Sequence, residues 1–252
     1  MNSVVGSSVH LAGVSKIYGT RHKQTLALDS ISLDVAPGEF VCLVGASGCG
    51  KSTLLNLVAG LDSATAGSLE VNGRTALMFQ ESALFPWLTA AGNIDLALRL
   101  GGVPKNERPT RVAELLESVH LQDFAKKRPH ELSGGMRQRV ALARAFAQDA
   151  EILLMDEPFG ALDAMTRDIL HDELEKLWRE RKFSVLFVTH NVREASRLGD
   201  RVLVLTSRPG KVAHEIEVNI PRPRRIDSPE VSSLSAEITQ RLREEVRRHA
   251  ND

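Results

Sequence analysis

Cysteine is scarce in this chain: Cys42 and Cys49 are the only two in 252 residues, and they lie too close together for a stabilising disulfide framework. A cytosolic home is expected. Excess charge is absent as well, because Lys+Arg and Asp+Glu both count 32, so the broad positive field of a nucleic-acid binder is missing. No nucleic-acid partner is expected. Long apolar runs are also lacking. None approaches the about 18–20 residues that cross a bilayer, and the opening MNSVVGSSVH has no basic-then-apolar export pattern. The chain is expected neither to span a membrane nor to be exported.

What remains is enough to bury a full core. Short β-type runs at 9–14 and 31–35 lead through a Pro37-Gly38 turn to the apolar run Phe40–Val44. From there the pattern becomes strand, glycine loop and helix (52–58), which opens a nucleotide-binding α/β unit. After a short strand at 76–79 the strands stop, and helices are predicted at Ala90–Leu100 and 109–119, with Pro109 suited to a first helical turn. Strands return at 152–155, Ser184–Val188 and Arg201–Leu205, with helices at 166–181 and Val192–Leu198 between them. The expected division is an α/β core with β subdomain (1–80 and 151–220) and a helical insertion (81–150). A tail (221–252) adds a stiff basic link, Pro221-Arg222-Pro223-Arg224-Arg225, and a charged, solvated helix.

Gly45-Ala46-Ser47-Gly48-Cys49-Gly50-Lys51-Ser52 follows an apolar strand and precedes a helix, fitting G-x-x-x-x-G-K-[ST]. Its glycines let backbone N–H groups turn inward around a β-phosphate, Lys51 reaches the β- and γ-phosphates, and Ser52 would hold Mg²⁺. A bare glycine turn explains neither the lysine nor the hydroxyl. Cys49 reads best as a small residue that fits the loop.

The run at 152–155 ends in Asp156 and Glu157 at the edge where open parallel sheets bind ligands. Asp156 suits Mg²⁺ and Glu157 suits polarising an attacking water. His190 ends another strand and can reach a γ-phosphate oxygen or that water. Gln80, closing the 76–79 strand, can reach the metal or the water. Tyr18, the one tyrosine, suits stacking on an adenine ring as well as ordinary packing.

A second cradle, Leu132-Ser133-Gly134-Gly135-Met136-Arg137-Gln138-Arg139, has no lysine. It would complete a site whose lysine belongs to another copy, so a dimeric nucleotide machine is expected.

Together these residues resemble the ATP-binding subunit of an ABC transporter. The resemblance covers the chain to about Pro223, with the motifs in the family's order. Tyr18 matches the adenine-stacking aromatic, the 45–52 loop Walker A (with Thr53 after it), Gln80 the Q-loop and 132–139 the signature. The run ending in Asp156 and Glu157 matches Walker B, Gly160-Ala161-Leu162-Asp163 the D-loop (a serine is more usual at Gly160) and His190 the switch histidine.

The resemblance implies a P-loop NTPase of the ABC ATPase type, with a RecA-like parallel-sheet core, an N-terminal antiparallel β part and an inserted helical subdomain. Its ligands would be ATP and Mg²⁺, with Ser133, Gly134 and Gly135 acting on the partner copy's nucleotide. The stretches around Phe79 to Thr89, "MDEPFGALD", "THNVREA" and Arg208-Pro209-Gly210 look like importers of the nitrate, aliphatic sulfonate and taurine group. Phe85, Pro86, Trp87 and Leu88 would receive a membrane permease at the cytoplasmic face of the membrane, served indirectly by an extracytoplasmic solute-binding protein. The alternative is a soluble ABC-type ATPase of DNA repair or translation. Its usual paired cassettes, coiled-coil arms and zinc clusters are absent from this sequence.

Overall fold

Alternating apolar positions at the start of the chain pair as an antiparallel sheet in the order β2-β1-β4, from β1 (Val9–Thr20), β2 (Lys23–Val35) and β4 (Ala66–Val71). The computed structural model describes residues 8–20 and 23–250; the first seven residues of the opening discussed above lie outside them. β1 and β2 extend well past the runs predicted for them, because register shifts after Leu11, Val14 and Lys16 interrupt the strict alternation that a two-residue period requires.

Two compact units divide the chain: residues 1–73 with 182–252, and residues 74–181. In the first, β3 (Phe40–Val44) pairs in parallel with β7 (Ser184–Val188) on one side and β8 (Arg201–Leu205) on the other. β9 (Val212–Glu217) closes the edge antiparallel to β8. All five residues of β3 and of β7 are buried, which is why both read as unbroken apolar runs. The rings of Phe40 and Phe187 meet across them at 5.8 Å, and each buried side chain of this size contributes about 1.5–3 kcal/mol. Helix α1 (Lys51–Val58) follows β3, and α6 (Val192–Leu198) follows β7.

The second unit holds the parallel pair β5 (Thr75–Met78) and β6 (Ile152–Asp156). Its helices are α2 (Ala90–Leu100), α3 (Arg108–Ser118), α4 (Gly134–Phe146) and α5 (Ala164–Arg181). Pro109 sits in the first turn of α3, as its missing N–H predicts.

The tail differs from its sequence reading. Arg224 is only 5% exposed and donates to the carbonyls of Ile220, Arg197, Gly199 and Val218. Arg222 donates to Leu198 O and to Asp200 at 2.8 Å. A run of basic residues reads as solvated, yet here two guanidiniums satisfy carbonyls at the C-terminal end of α6. The last helix, α7 (Pro229–Ala250), buries Val231, Ser235, Ile238 and Glu245 along one face, and Ser235 Oγ lies 3.0 Å from Ser196 Oγ of α6. Its other face is solvated, as expected.

Candidate functional site

In the first unit the phosphate-type loop connects β3 to α1. Gly48 and Gly50 have φ of 77° and 101°, and a Cβ on Gly50 would lie 2.8 Å from the Ala27 carbonyl oxygen. Only glycine lets the loop turn this close to β2. Lys51 is 6% exposed, and its ammonium donates to Gly45 O at 2.8 Å and to Ala46 O at 3.0 Å. The cation is thus held on the inner side of the loop by the loop's own carbonyls.

Ser52 is exposed at the start of α1 and Thr53 half-buried behind it. Cys49 is buried and free, and Cys42 is free too, its thiol pushed well above the usual range by burial. His190 follows β7, whose neighbour in the sheet is β3, so the histidine and the loop leave the same edge of adjacent strands. Thr189 beside it is buried and bonded to Glu194 at 2.6 Å, which fixes the backbone that presents the exposed His190.

In the second unit, Gln80 and Glu157 follow adjacent parallel strands, and the Gln80 amide donates to Glu157 Oε2 at 3.3 Å. Glu157 has φ 46°. A non-glycine residue in that region costs about 1–3 kcal/mol, and such strain concentrates at functional sites. Asp156 is half-buried at the end of β6.

Ser133 caps α4, its hydroxyl accepting from Met136 N at 3.2 Å. A Cβ on Gly135 would press on the Leu162 methyl at 2.9 Å, so the second cradle packs on the segment that carries Asp163. At Gly160 a Cβ would meet nothing nearer than 3.5 Å, and the space admits the serine more usual there.

Sequence reasoning did not single out Gln138, although it lies inside the second cradle. It is 6% exposed, donates to Gln80 O at 3.3 Å and accepts from Ala161 N at 3.2 Å. One buried amide therefore ties the Gln80 segment to the Ala161 segment. Arg144, further along α4, donates to Ala83 O at 2.7 Å and Ser82 O at 3.1 Å. Asn93 was missed as well. Fully buried, it bonds Phe85 N and the carbonyls of Phe85 and Thr89, and so fixes the loop on which Phe85 and the 67%-exposed Trp87 are displayed. A buried amide has no sequence pattern of its own, so neither residue could be recognised before the fold.

The profile described as ABC transporter matches residues 28–160. The chain belongs to the ABC transporter family. The nitrate import ATP-binding protein NrtD of Synechocystis sp. is 42% identical over 221 residues, covering 84% of this chain and 83% of that protein. The aliphatic sulfonates import ATP-binding protein SsuB of Bacillus subtilis is 44% identical over 227 residues, covering 87% and 88%. A solved dimeric structure of the ATP-binding cassette MJ0796, in a post-hydrolysis state with ADP and Pi, superposes with a TM-score of 0.78 at 34% identity. It covers 84% of this chain and all of that one. The architecture is that of an ABC ATPase cassette.

Ser52 offers a hydroxyl, Asp156 a carboxylate and Gln80 an amide oxygen, each a donor type that a magnesium ion accepts. Among the described residues no group of three or more His, Cys, Asp or Glu that could hold a metal ion is found.

Proposed function

We propose that this chain is the ATP-hydrolysing subunit of a solute importer, working as two copies that close around two ATP molecules and drive a membrane permease. Similarity to nitrate and aliphatic sulfonate import subunits over more than four-fifths of the chain supports import, rather than DNA repair or translation. The observation that carries the two-copy arrangement is the pair of unequal cradles. The 45–52 loop brings a buried lysine, whereas the α4 N-terminus offers backbone N–H groups and Ser133 but no lysine. The lysine-free cradle would be completed by the lysine of another copy.

In this reading Lys51 and the loop N–H groups bind the phosphates, and Tyr18 carries the adenine. Ser52 and Asp156, with Gln80, would hold Mg²⁺, which supplies charge neutralisation at the β- and γ-phosphates. Glu157 orients and deprotonates the attacking water, and His190 holds a γ-phosphate oxygen. Ser133, Gly134 and Gly135 of one copy meet the γ-phosphate bound by the other.

Phe85, Pro86, Trp87 and Leu88 form the permease contact. The rings of Phe85 and Trp87 lie 5.5 Å apart on the loop that Asn93 holds, an exposed aromatic pair of the kind that anchors interfaces. Among the described residues no helix is long and apolar enough to cross a membrane, which suits a peripheral place at the cytoplasmic face. The solute, of nitrate, sulfonate or taurine type, would be delivered by an extracytoplasmic binding protein.

The deciding experiment is Glu157→Gln. It should bind ATP normally, hydrolyse it about 10²–10⁴-fold more slowly and accumulate as an ATP-bound dimer on size-exclusion chromatography. A monomer with unchanged turnover would refute the assignment.

A further inference from the structure

A stacking platform works best when its ring is already held in place before the base arrives. Around Tyr18, side chains from two segments converge. Lys16, on the same strand, is 9% exposed, and its ammonium lies 4.9 Å from the centre of the Tyr18 ring. Asp62, shortly after α1, accepts from that ammonium at 2.5 Å through Oδ1 and from the Tyr18 hydroxyl at 2.9 Å through Oδ2. The ammonium also donates to Ser63 O at 2.8 Å.

We propose that Lys16 and Asp62 form a mount that fixes the Tyr18 ring, with Asp62 the positioning residue for base recognition. The proposal rests on the reading of Tyr18 as the adenine-stacking residue.

Tyr18 remains 39% exposed, so the ring is held without being covered. The Lys16 ammonium lies over the ring, so a stacking base would take the other face. The Asp62 carboxyl is held below its usual range, first by the Lys16 hydrogen bond, so it stays charged and accepting. Because Asp62 follows α1 closely in the chain, the mount also ties the base platform to the helix that the phosphate loop begins. A ring ordered in advance loses less conformational freedom on binding.

The test is equilibrium binding of Mg-ATP and of Mg-tripolyphosphate, which has no base, to the full chain. Asp62→Asn and Tyr18→Ala should each weaken Mg-ATP on the order of ten-fold and leave Mg-tripolyphosphate within about two-fold. Asp62→Glu should recover part of the loss, and Tyr18→Phe, which keeps the ring but not its hydroxyl, should lie between wild type and Tyr18→Ala. If Tyr18→Ala weakens Mg-ATP and Asp62→Asn does not, the mount is refuted and the stacking role survives. If Tyr18→Ala changes nothing, both fall. Parallel loss of tripolyphosphate would mean general damage to the loop and would also overturn the proposal.

Tyr18 is the only tyrosine, so its ionisation is readable in the ultraviolet. Burial first, and then the Asp62 bond, raise it above the ordinary value. Asp62→Asn should lower the midpoint, and an unmoved midpoint counts against the mount.

Discussion

The two cradles are built in opposite ways. At the 45–52 loop the cation is inside: Lys51 is buried and bound to the carbonyls of Gly45 and Ala46. In the 132–139 stretch two arginines are present, one bonded within the stretch and one outside it. Arg137 donates to Leu132 O at 2.6 Å, and Arg139 to the carbonyls of Val119 and His120. The stretch also carries a helix N-terminus and a serine cap, which offer partial positive charge, but no lysine. The contrast teaches that basic residues near a phosphate-type loop do not by themselves make a phosphate site; where the guanidinium is bonded decides.

The comparison can be broken most severely by exchanging the defects. Lys51→Ala and Ser133→Arg chains should each lose ATP turnover by about 10²-fold or more. A mixture of the two should recover part of it, because one composite site per dimer then has both an intact lysine and an intact cradle. Absence of recovery, with both chains folded, would show that each cradle works within a single copy.

A smaller effect is expected at Gln138. Gln138→Leu leaves Gln80 O and Ala161 N without this partner, at about 1–3 kcal/mol, and turnover should fall about ten-fold while Mg-ATP affinity at the Lys51 loop is kept. Gln138→Glu retains the acceptor for Ala161 N–H but loses the donor to Gln80, so the ratio of kcat to KM in the two variants separates the two bonds. Equal losses in both would assign the whole effect to the Gln80 side. The smallest change in stability belongs to Ser133→Gly, which removes the α4 cap at a cost of a few tenths of a kcal/mol, readable as a thermal shift of a degree or so. Its hydrolysis rate should fall far more than that shift explains if the hydroxyl faces the partner's nucleotide.

The elements that surround these cradles were legible in the sequence to differing degrees. β3, α2, β7, α6 and β8 lie where apolar pattern places them, because each is enclosed and its burial writes a continuous or helical signal. β4 and β9 escaped notice. β4 is largely exposed and β9 half so, and an edge strand with few buried positions leaves almost no two-residue period to read. The phosphate loop and the two carboxylates were visible because their chemistry needs fixed residue types at fixed offsets. Gln138 and Asp62 each act through two long-range bonds, and Asn93 through several bonds to the loop that ends at its own helix, which nothing short of the folded chain reveals.

Arg224 has a practical corollary for anyone shortening this protein. Its side chain is hydrogen-bonded to Arg197 O and Gly199 O, at the far end of the helix that begins two residues after His190. Cutting the chain before Arg224 would not trim a loose appendage. It would pull a pin from the rear of the segment whose front presents the histidine, so a clone designed to end at residue 220 would be wounded at its centre by an incision made at its margin.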